Sequence, residues 1–241
     1  MEINYVFSIG YRCNSVQFVR KYELSKFSGP FDWMYIDLES SIKNIDSGFS
    51  DYLSNIETLR NQDFFYMSQN YKETTLPINW GFTEPNGNNI YDWDKICIFL
   101  HHRMDESEEL EKIKIRIQRF LNVMNESPDR TLLVYISKII EGDKIDSEIY
   151  KIRNLVRDHN LKSNFCFIIC SPECEETSVQ FENCLFITKK VPDYQEQYNL
   201  GKAENELEWL EWGMHGLNFD REYNEIKSKF NFSNLISKDD I

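Results

Sequence analysis

Short apolar runs alternate with amphipathic stretches along this chain. The runs are rich in β-branched and aromatic residues, as in strands that are covered on both faces of a sheet. They are YVFSIG at 5–10, ICIFLHH at 96–102, TLLVYIS at 131–137, NFCFIIC at 164–170 and CLFITKK at 184–190. The amphipathic stretches predict helices at 14–25, 38–47, 106–125, 145–159, 203–213 and 220–229.

This alternation predicts an α/β fold, namely a three-layer sandwich with a mainly parallel sheet of roughly five strands. Residues 56–94 interrupt it, because they are rich in Asn, Pro, Gly and aromatic residues. The Asn86-Gly87 pair there favours a β-hairpin or an excursion loop, which would form a pocket wall or simply a surface loop. We expect one domain over 1–230 with an irregular insertion at about 56–94, followed by a flexible tail at 231–241.

The charge of the chain excludes some classes of partner. A formal net charge of -13 argues against nucleic acid and against an anionic membrane surface. The N-terminus lacks the pattern of a leader peptide, and no apolar run approaches the length of a membrane span. The six cysteines lack paired metal-ligand or disulfide spacing, so we expect free thiols in a soluble, cytoplasmic protein. The oligomeric state is left open.

Cys13 has the sequence setting of a reactive thiol. It follows the strand pattern VFSIG and two further residues, and it opens an amphipathic stretch. Unpaired amide groups and the helix dipole favour a thiolate at such a position, as does the neighbouring Arg12, and they could lower the pKa from about 8.5 to about 5–7.5. The alternative is that Cys13 is a small buried apolar residue at a helix start.

Ligands of open α/β sheets bind beyond the carboxyl ends of the strands. In the predicted sheet, those ends carry two histidines, several cations and the thiol. We expect substrate contacts from Tyr11, Arg12, Asn14, Trp33, Arg103 and Lys138, and the other residues at strand ends are His101, His102, Ser137, Cys170, Ser171, Lys189 and Lys190.

Three histidines are candidate general bases. His101 and His102 are adjacent on a predicted strand and point to opposite faces, so at most one can meet Cys13. The same geometry argues against a metal site, and we predict none. His215 lies between Gly213 and Gly216, which suits either a mobile base or a helix C-cap. Glu211 or Asp220 could orient His215, whereas His159 is expected to be a helix cap.

Asp32 stands in the segment SGPFDWMYID, between Phe31 and Trp33. An acid held among aromatic residues could orient a catalytic histidine or bind an arginine such as Arg12. It could equally cap the helix that begins near residue 38, or close its own turn.

The run SIGYRC, followed by PFDW and by HH at the end of a later predicted strand, resembles an uncharacterised family described as papain-like cysteine peptidases. Its Ser-(Leu/Ile)-Gly-x-x-Cys opening corresponds to Ser8, Ile9, Gly10 and Cys13, and its Pro-Phe-Asp-Trp block to residues 30–33. The resemblance implies that Cys13 is the nucleophile and that a downstream histidine is the base.

The order of elements is also similar to that of SGNH-type hydrolases and acyltransferases, and the predicted sheet is SGNH/Rossmann-like. In those enzymes the nucleophile follows the first strand and the histidine comes late in the chain. Here Cys13 replaces their serine, and their Asp-x-x-His becomes Trp212-Gly213-Met214-His215. A papain-type CGSCW surround is absent from the sequence.

These patterns predict an enzyme in which Cys13 attacks an acyl, thioester or amide carbonyl. One of the histidines takes its proton, Asp32 or Glu211 orients the base, and the amides of Cys13 and Asn14 form an oxyanion hole. The substrate would be a small molecule, a peptide or an acyl group, and no cofactor is expected apart from a coenzyme A thioester as co-substrate. Arg12, Arg103, Lys138, Lys189 and Lys190 would hold its phosphates. The alternatives are a non-catalytic module that binds an anionic ligand in the same crevice, and a purely structural or interaction domain.

Overall fold

The structure, a computed structural model, describes residues 1–11, 14–50, 52–53, 56–59, 80–83, 97–99, 107–192 and 217–236. Its α-helices are α1 (Asn14–Lys21), α2 (Leu38–Asp46), α3 (Ser107–Glu126), α4 (Ile145–Asp158) and α5 (Asp220–Lys229). Its strands are β1 (Tyr5–Ser8), β2 (Met34–Tyr35), β3 (Ile56–Leu59), β4 (Trp80–Thr83), β5 (Cys97–Phe99), β6 (Thr131–Ile139), β7 (Asn164–Ser171), β8 (Ser178–Phe181) and β9 (Cys184–Lys190). Five of the six predicted helices are found, and the sixth, at 203–213, lies outside the described residues.

A mostly parallel, five-stranded sheet forms the centre of the fold, as predicted. Its order is β1-β6-β7-β9-β8, and only the edge pair β8–β9 is antiparallel. The register places Phe7 beside Leu133, Leu133 beside Phe165, and Phe165 beside Cys184. These four side chains belong to one apolar cluster, so the row crosses a single face of the sheet.

Both faces of this sheet are covered by helices, which explains why its central strands are almost continuously apolar. On one face α2, α3 and α4 contribute to a cluster that includes Ile42, Phe120 and Ile152. On the other face α1 and α5 contribute Phe18 and Ile226 to a second cluster. The helices thus bury the stripes that the sequence predicted.

A second sheet corrects part of the predicted topology. The run 96–102 was expected to form a strand of the parallel sheet, but β5 pairs antiparallel with β2 and β4 in a sheet of order β2-β5-β4-β3. Strands β3 and β4 lie within the expected insertion, and the Asn86-Gly87 pair between β4 and β5 lies outside the described residues. An apolar run of this length indicates a strand but does not reveal its partners, so the assignment to the parallel sheet was wrong.

The fifth strand of the mostly parallel sheet is β8, an antiparallel edge strand that the sequence pattern did not predict. Its residues SVQF are mostly exposed, because it is an edge strand that pairs only with β9. It follows β7 and leads into β9 through a tight turn in which Glu182 has φ of 52°.

The described C-terminal residues pack against the start of the chain. Asn231 donates its backbone N–H to the Met1 carbonyl at 2.7 Å, and Ile236 donates to the Asn4 carbonyl at 3.0 Å. Among the described residues, we find no helix with the length and apolar surface that a bilayer span requires. The single domain over 1–230 stays a prediction.

Candidate active site

The turn between β1 and α1 is shaped by Gly10. Its φ is +106°, and a Cβ added there would lie 2.7 Å from the Ile36 carbonyl oxygen. Both features favour glycine, because an L side chain is strained at this φ and would collide with the backbone. Gly10 therefore brings the end of β1 against the segment that follows β2.

Ser15 anchors the same turn to the neighbouring strand β6. Its hydroxyl donates to the Gly10 carbonyl and accepts the backbone N–H of Ile136 at 2.9 Å. The side chain is fully buried. Ser15 thus satisfies backbone groups that neither the strand ladder nor helix α1 satisfies, and it fixes the first turn of α1 relative to the sheet.

Asp32 joins the two sequence motifs in space. The Ser8 hydroxyl donates to Asp32 Oδ1 at 2.6 Å, and the Gly29 backbone N–H donates to Oδ2 at 3.1 Å. Arg20 Nη2 on α1 lies 3.5 Å from the same Oδ2. The carboxylate is 3% exposed, so the end of β1, the turn at 28–33 and α1 meet at one buried acid.

Burial raises the pKa of Asp32 above its ordinary value. The hydrogen bonds from Ser8 and Gly29 and the charges of Arg20 and Arg116 lower the pKa, but they compensate only in part. Of the expected roles, closure of its own turn is confirmed, because Asp32 accepts the Gly29 N–H. The helix-cap alternative is wrong, since Asp37 caps α2 by accepting the Ser40 N–H.

The aromatic residues around Asp32 hold the turn in place. Trp33 has φ of 63°, a left-handed conformation that is unusual for a tryptophan, and the Arg20 guanidinium lies 5.4 Å from its ring centroid. Pro30 offers its carbonyl to the Tyr52 hydroxyl at 2.8 Å. Arg20, which the sequence did not single out, is thus the described arginine that contacts Asp32.

Asn14, the first residue of α1, contains a buried side-chain oxygen that lacks a hydrogen-bond donor among the described residues. The residue is 7% exposed, and its Oδ1 accepts no hydrogen bond from any described residue. An unpaired acceptor of this kind costs free energy unless a ligand or another group pairs with it. Because Asn14 directly follows Cys13 in the chain, this acceptor lies beside the candidate nucleophile in sequence.

The other described candidates have ordinary surroundings. Tyr11 is half-buried against the apolar cluster that contains Phe7, and Lys138 is exposed near the end of β6. Ser137, also expected at a strand end, accepts the Cys170 N–H at 2.9 Å where the β6–β7 register shifts. Ser137 therefore has a structural role in the sheet.

The chain matches, over residues 4–172, the family described as "Putative papain-like cysteine peptidase (DUF1796)". The chain belongs to this family. No curated protein and no solved structure matches it.

Several predicted site residues of this family member lie outside the described residues. They are the candidate catalytic residues Cys13, His101, His102 and His215, the possible orienting acid Glu211, and the predicted substrate contacts Arg12 and Arg103. The elements on both sides of Cys13 in the chain are described, as is the strand that precedes the histidine pair. In the sequence, Cys13 follows β1 and directly precedes α1. The histidine pair follows β5, which lies in the second sheet, so the argument that placed these histidines at the carboxyl edge of the parallel sheet no longer holds.

The residues that follow His215 in the chain pack near α1. Phe219 meets Phe18 with ring centroids 5.7 Å apart, and Leu217 packs against the same apolar cluster. The Tyr22 hydroxyl donates to Asp220 at 2.7 Å. Asp220 is therefore paired with the residue that follows α1, and the start of α5 packs near the C-terminal end of α1.

The described cysteines of this family member are free and are unsuited to nucleophilic chemistry. Burial raises the pKa of Cys166, Cys170 and Cys174, and it raises that of Cys184 to about 12. A thiol with a raised pKa is largely protonated at neutral pH and reacts slowly. The expectation of free thiols is confirmed for these four residues.

Sequence reasoning missed a second buried carboxylate, Glu222 on α5. Its Oε2 lies 3.2 Å from Lys189 Nζ, and its Oε1 lies 3.1 Å from Arg221 Nη1. Both Glu222 and Lys189 are buried. Lys189, expected to hold a phosphate, instead neutralises this buried acid.

His159 ends α4 as its C-cap residue, as expected, and its Nδ1 lies 2.8 Å from Asp46 Oδ2 on α2.

Among the described residues, no group of three or more His, Cys, Asp or Glu side chains is placed to hold a metal ion.

Proposed function

We propose that this protein is a cysteine-nucleophile enzyme in which Cys13 attacks an acyl or amide carbonyl. The observation that carries the proposal is the Ser8–Asp32 hydrogen bond of 2.6 Å. It joins the strand that leads to Cys13 with the Pro-Phe-Asp-Trp turn, and the family model covers both segments. The two motifs therefore meet at the end of the strand that precedes Cys13 in the chain, which supports a shared role.

The positions of β1 and α1 support the activation of Cys13. A thiol that immediately precedes the first residue of a helix meets unpaired amide groups and the positive end of the helix dipole. Gly10 and Ser15 fix that helix start to the sheet. A rigid helix start keeps the amides of Cys13 and Asn14 available as oxyanion donors.

The chemistry would proceed in two steps. The base takes the Cys13 proton, the sulfur forms a bond to the carbonyl carbon, and the bond to the leaving amine, alcohol or thiol breaks as the base returns the proton. Water or another acceptor then attacks the thioester and releases Cys13. Hydrolysis and acyl transfer differ only in this acceptor.

Among the three candidate bases we favour His215. The first described residues after it pack beside α1, and two residues of chain can reach at most about 7 Å from Leu217. His101 and His102 instead follow β5, which pairs with β2 and β4 in the second sheet. Asp32 would orient the base or, through Ser8, the turn that carries Cys13.

The mostly parallel sheet favours an SGNH/Rossmann-like architecture, with the nucleophile after the first strand, over a papain-type pair of lobes. Such an architecture suits an acyl or thioester substrate, including a coenzyme A thioester, as well as a peptide. Tyr11, Asn14 and Trp33 would contact this substrate, with Arg12, Arg103 and Lys138 as further candidates. The unpaired Asn14 Oδ1 would accept an N–H of an amide substrate.

Intact-protein mass spectrometry tests the proposal. The protein is incubated with acyl-coenzyme A donors, activated esters and a peptide-derived electrophile, and the site of any adduct is mapped. We expect one adduct on Cys13, and the donor that forms it identifies the reaction class.

Two variants make this experiment decisive. Cys13→Ala should abolish the adduct, whereas Cys174→Ala, which removes a partly exposed thiol, should leave it unchanged. Scattered labelling that survives Cys13→Ala would contradict the enzyme and favour the module that binds an anionic ligand.

A further inference from the structure

A groove between α1, the turn at 25–28 and α3 collects positive charge in an acidic protein. Its volume is about 410 Å³, within the range of small-molecule sites. The polar side chains that line it include Arg20, Lys26, Ser28, Lys112, Arg116 and Arg119. Five cations thus line one groove of a chain whose net charge is -13.

The cations of α3 share one face of the helix. Lys112, Arg116 and Arg119 follow one another at spacings of four and three residues, which places them side by side. Arg20 lines the same groove from α1. The apolar residues of α1 pack on the face of the sheet that is opposite to α3. Residues from two separate helices therefore contribute to the same positive surface.

Contacts with the protein orient the guanidinium groups. Arg20 donates to the Ser28 hydroxyl at 2.8 Å, and Arg119 donates to the Ser28 carbonyl at 3.4 Å. The Arg119 guanidinium also lies 5.5 Å from the centroid of the Phe27 ring. Oriented guanidinium groups lose less conformational freedom when they bind an anion than mobile ones do.

Three described carboxylates lie near the five cations of the groove. Glu108 and Glu109 pair with Lys112, and Asp32 is shared between Arg20 and the more distant Arg116. Burial lowers the pKa of Arg116, and the charges of Arg20 and Arg119 lower it further, so the three guanidinium groups repel one another. A bound dianion would remove this repulsion.

We propose that this groove binds the phosphate group of a small phosphorylated molecule. Guanidinium groups match phosphate oxygens with paired hydrogen bonds, and Ser28 provides a hydroxyl. Ile115, which is 57% exposed, borders the cations and offers an apolar surface to the organic part of the ligand. The site does not depend on the chemistry of Cys13.

Calorimetric titration with pyrophosphate tests the proposal. We expect one pyrophosphate per chain, and we expect the double variant Arg116→Gln/Arg119→Gln to weaken binding by at least about tenfold. The double variant Lys114→Gln/Arg157→Gln removes the same charge from exposed positions that do not line the groove. It should change the dissociation constant by less than about twofold. Absence of binding to the wild type, or equal losses in both variants, would overturn the proposal.

A measurement on the wild-type protein covers the case in which the arginine variant does not fold. Pyrophosphate should slow the modification of Arg116 and Arg119 by phenylglyoxal, as mapped by mass spectrometry, and should not slow that of Arg157. Equal rates with and without pyrophosphate would contradict the site. Phenyl phosphate should bind more tightly than inorganic phosphate, and equal affinities would overturn the role of Ile115.

Discussion

Asp32 and Glu222 are both buried carboxylates, but they are held by different partners. Glu222 meets two cations, with Lys189 at 3.2 Å and Arg221 at 3.1 Å. The shortest contacts of Asp32 come from neutral donors, the Ser8 hydroxyl and the Gly29 amide, and Arg20 lies farther away at 3.5 Å. Glu222 is therefore held by charged groups, whereas Asp32 is held mainly by hydrogen bonds from neutral donors.

This difference separates a structural centre from a candidate functional one. The Glu222 centre ties α5 to β9 and has cations in direct contact with the acid. The Asp32 centre ties the turn before Cys13 to the cationic groove, and burial raises the pKa of its acid. Carboxyl groups with perturbed pKa values are common at functional sites.

The largest expected effect comes from breaking the structural centre. Glu222→Gln removes the charge that neutralises the buried Lys189, and we expect it to lower the free energy of unfolding by about 3–5 kcal/mol. Glu111→Gln, which removes half of an exposed ion pair with Lys114, should cost less than about 1 kcal/mol. Urea denaturation of both variants measures the difference, and equal small losses would show that the Glu222 pair is not structural.

Gly10→Ala should break the Asp32 centre. The new Cβ would lie 2.7 Å from the Ile36 carbonyl oxygen at φ of +106°, and we expect a loss of about 2 kcal/mol or more in the free energy of unfolding. Gly48→Ala is the matched control, because Gly48 also has a positive φ but its Cβ would meet nothing within 4 Å. The control should cost about 1 kcal/mol. If Gly10→Ala costs no more than the control, Gly10 does not hold the turn.

Ser8→Ala should weaken the same centre without a steric clash. Loss of a hydrogen bond to a buried carboxylate is expected to cost about 1.5–3 kcal/mol. Ser147→Ala removes an exposed hydroxyl and should cost less than about 0.5 kcal/mol. A double-mutant cycle with Asp32→Asn measures the coupling, and additive losses would contradict the Ser8–Asp32 bond.

The smallest expected effect is the contribution of Asp32 to the pH dependence of the free energy of unfolding. Because its pKa is raised in the folded state, the folded protein binds this proton more tightly, and the resulting stabilisation is present below the unfolded pKa near 3.8. It is lost as the pH rises through the folded pKa. Asp32→Asn should therefore destabilise the protein less, relative to wild type, as the pH rises from about 4 to about 8. A pH-independent difference in the free energy of unfolding would contradict the raised pKa.

The helices were predictable because the buried apolar residues recur along each helix at the helical spacing. Helix α5 was predicted at 220–229 and has those bounds, and α4 ends beside His159, which caps it as expected. The stripes on these helices depend on spacing along the chain, which a sequence displays directly.

Strand partners were less predictable, since pairing depends on residues far away in the sequence. The run around β5 is apolar whether it joins a parallel or an antiparallel sheet, and β8 is an exposed edge strand with no apolar signal. The predicted position of His101 and His102 depended on the assignment of β5 to the parallel sheet, so it shares that error.

The site was predictable in its motifs but not in its contacts. Asp32 and Gly10 were visible as unusual residues in turns. Arg20 and Glu222 were not, because they gain their roles from elements that meet only in three dimensions. A usable signal was overlooked in α3, where Lys112, Arg116 and Arg119 recur at helical spacing on one face.

The rate of Cys13 alkylation by iodoacetamide as a function of pH tests the central claim most directly. We predict that Cys13 reacts with an apparent pKa of about 5–7.5 and faster than Cys174, the partly exposed thiol whose pKa burial raises. An apparent pKa of about 8.5 or higher, with a rate no greater than that of Cys174, would contradict the assignment of Cys13 as the nucleophile.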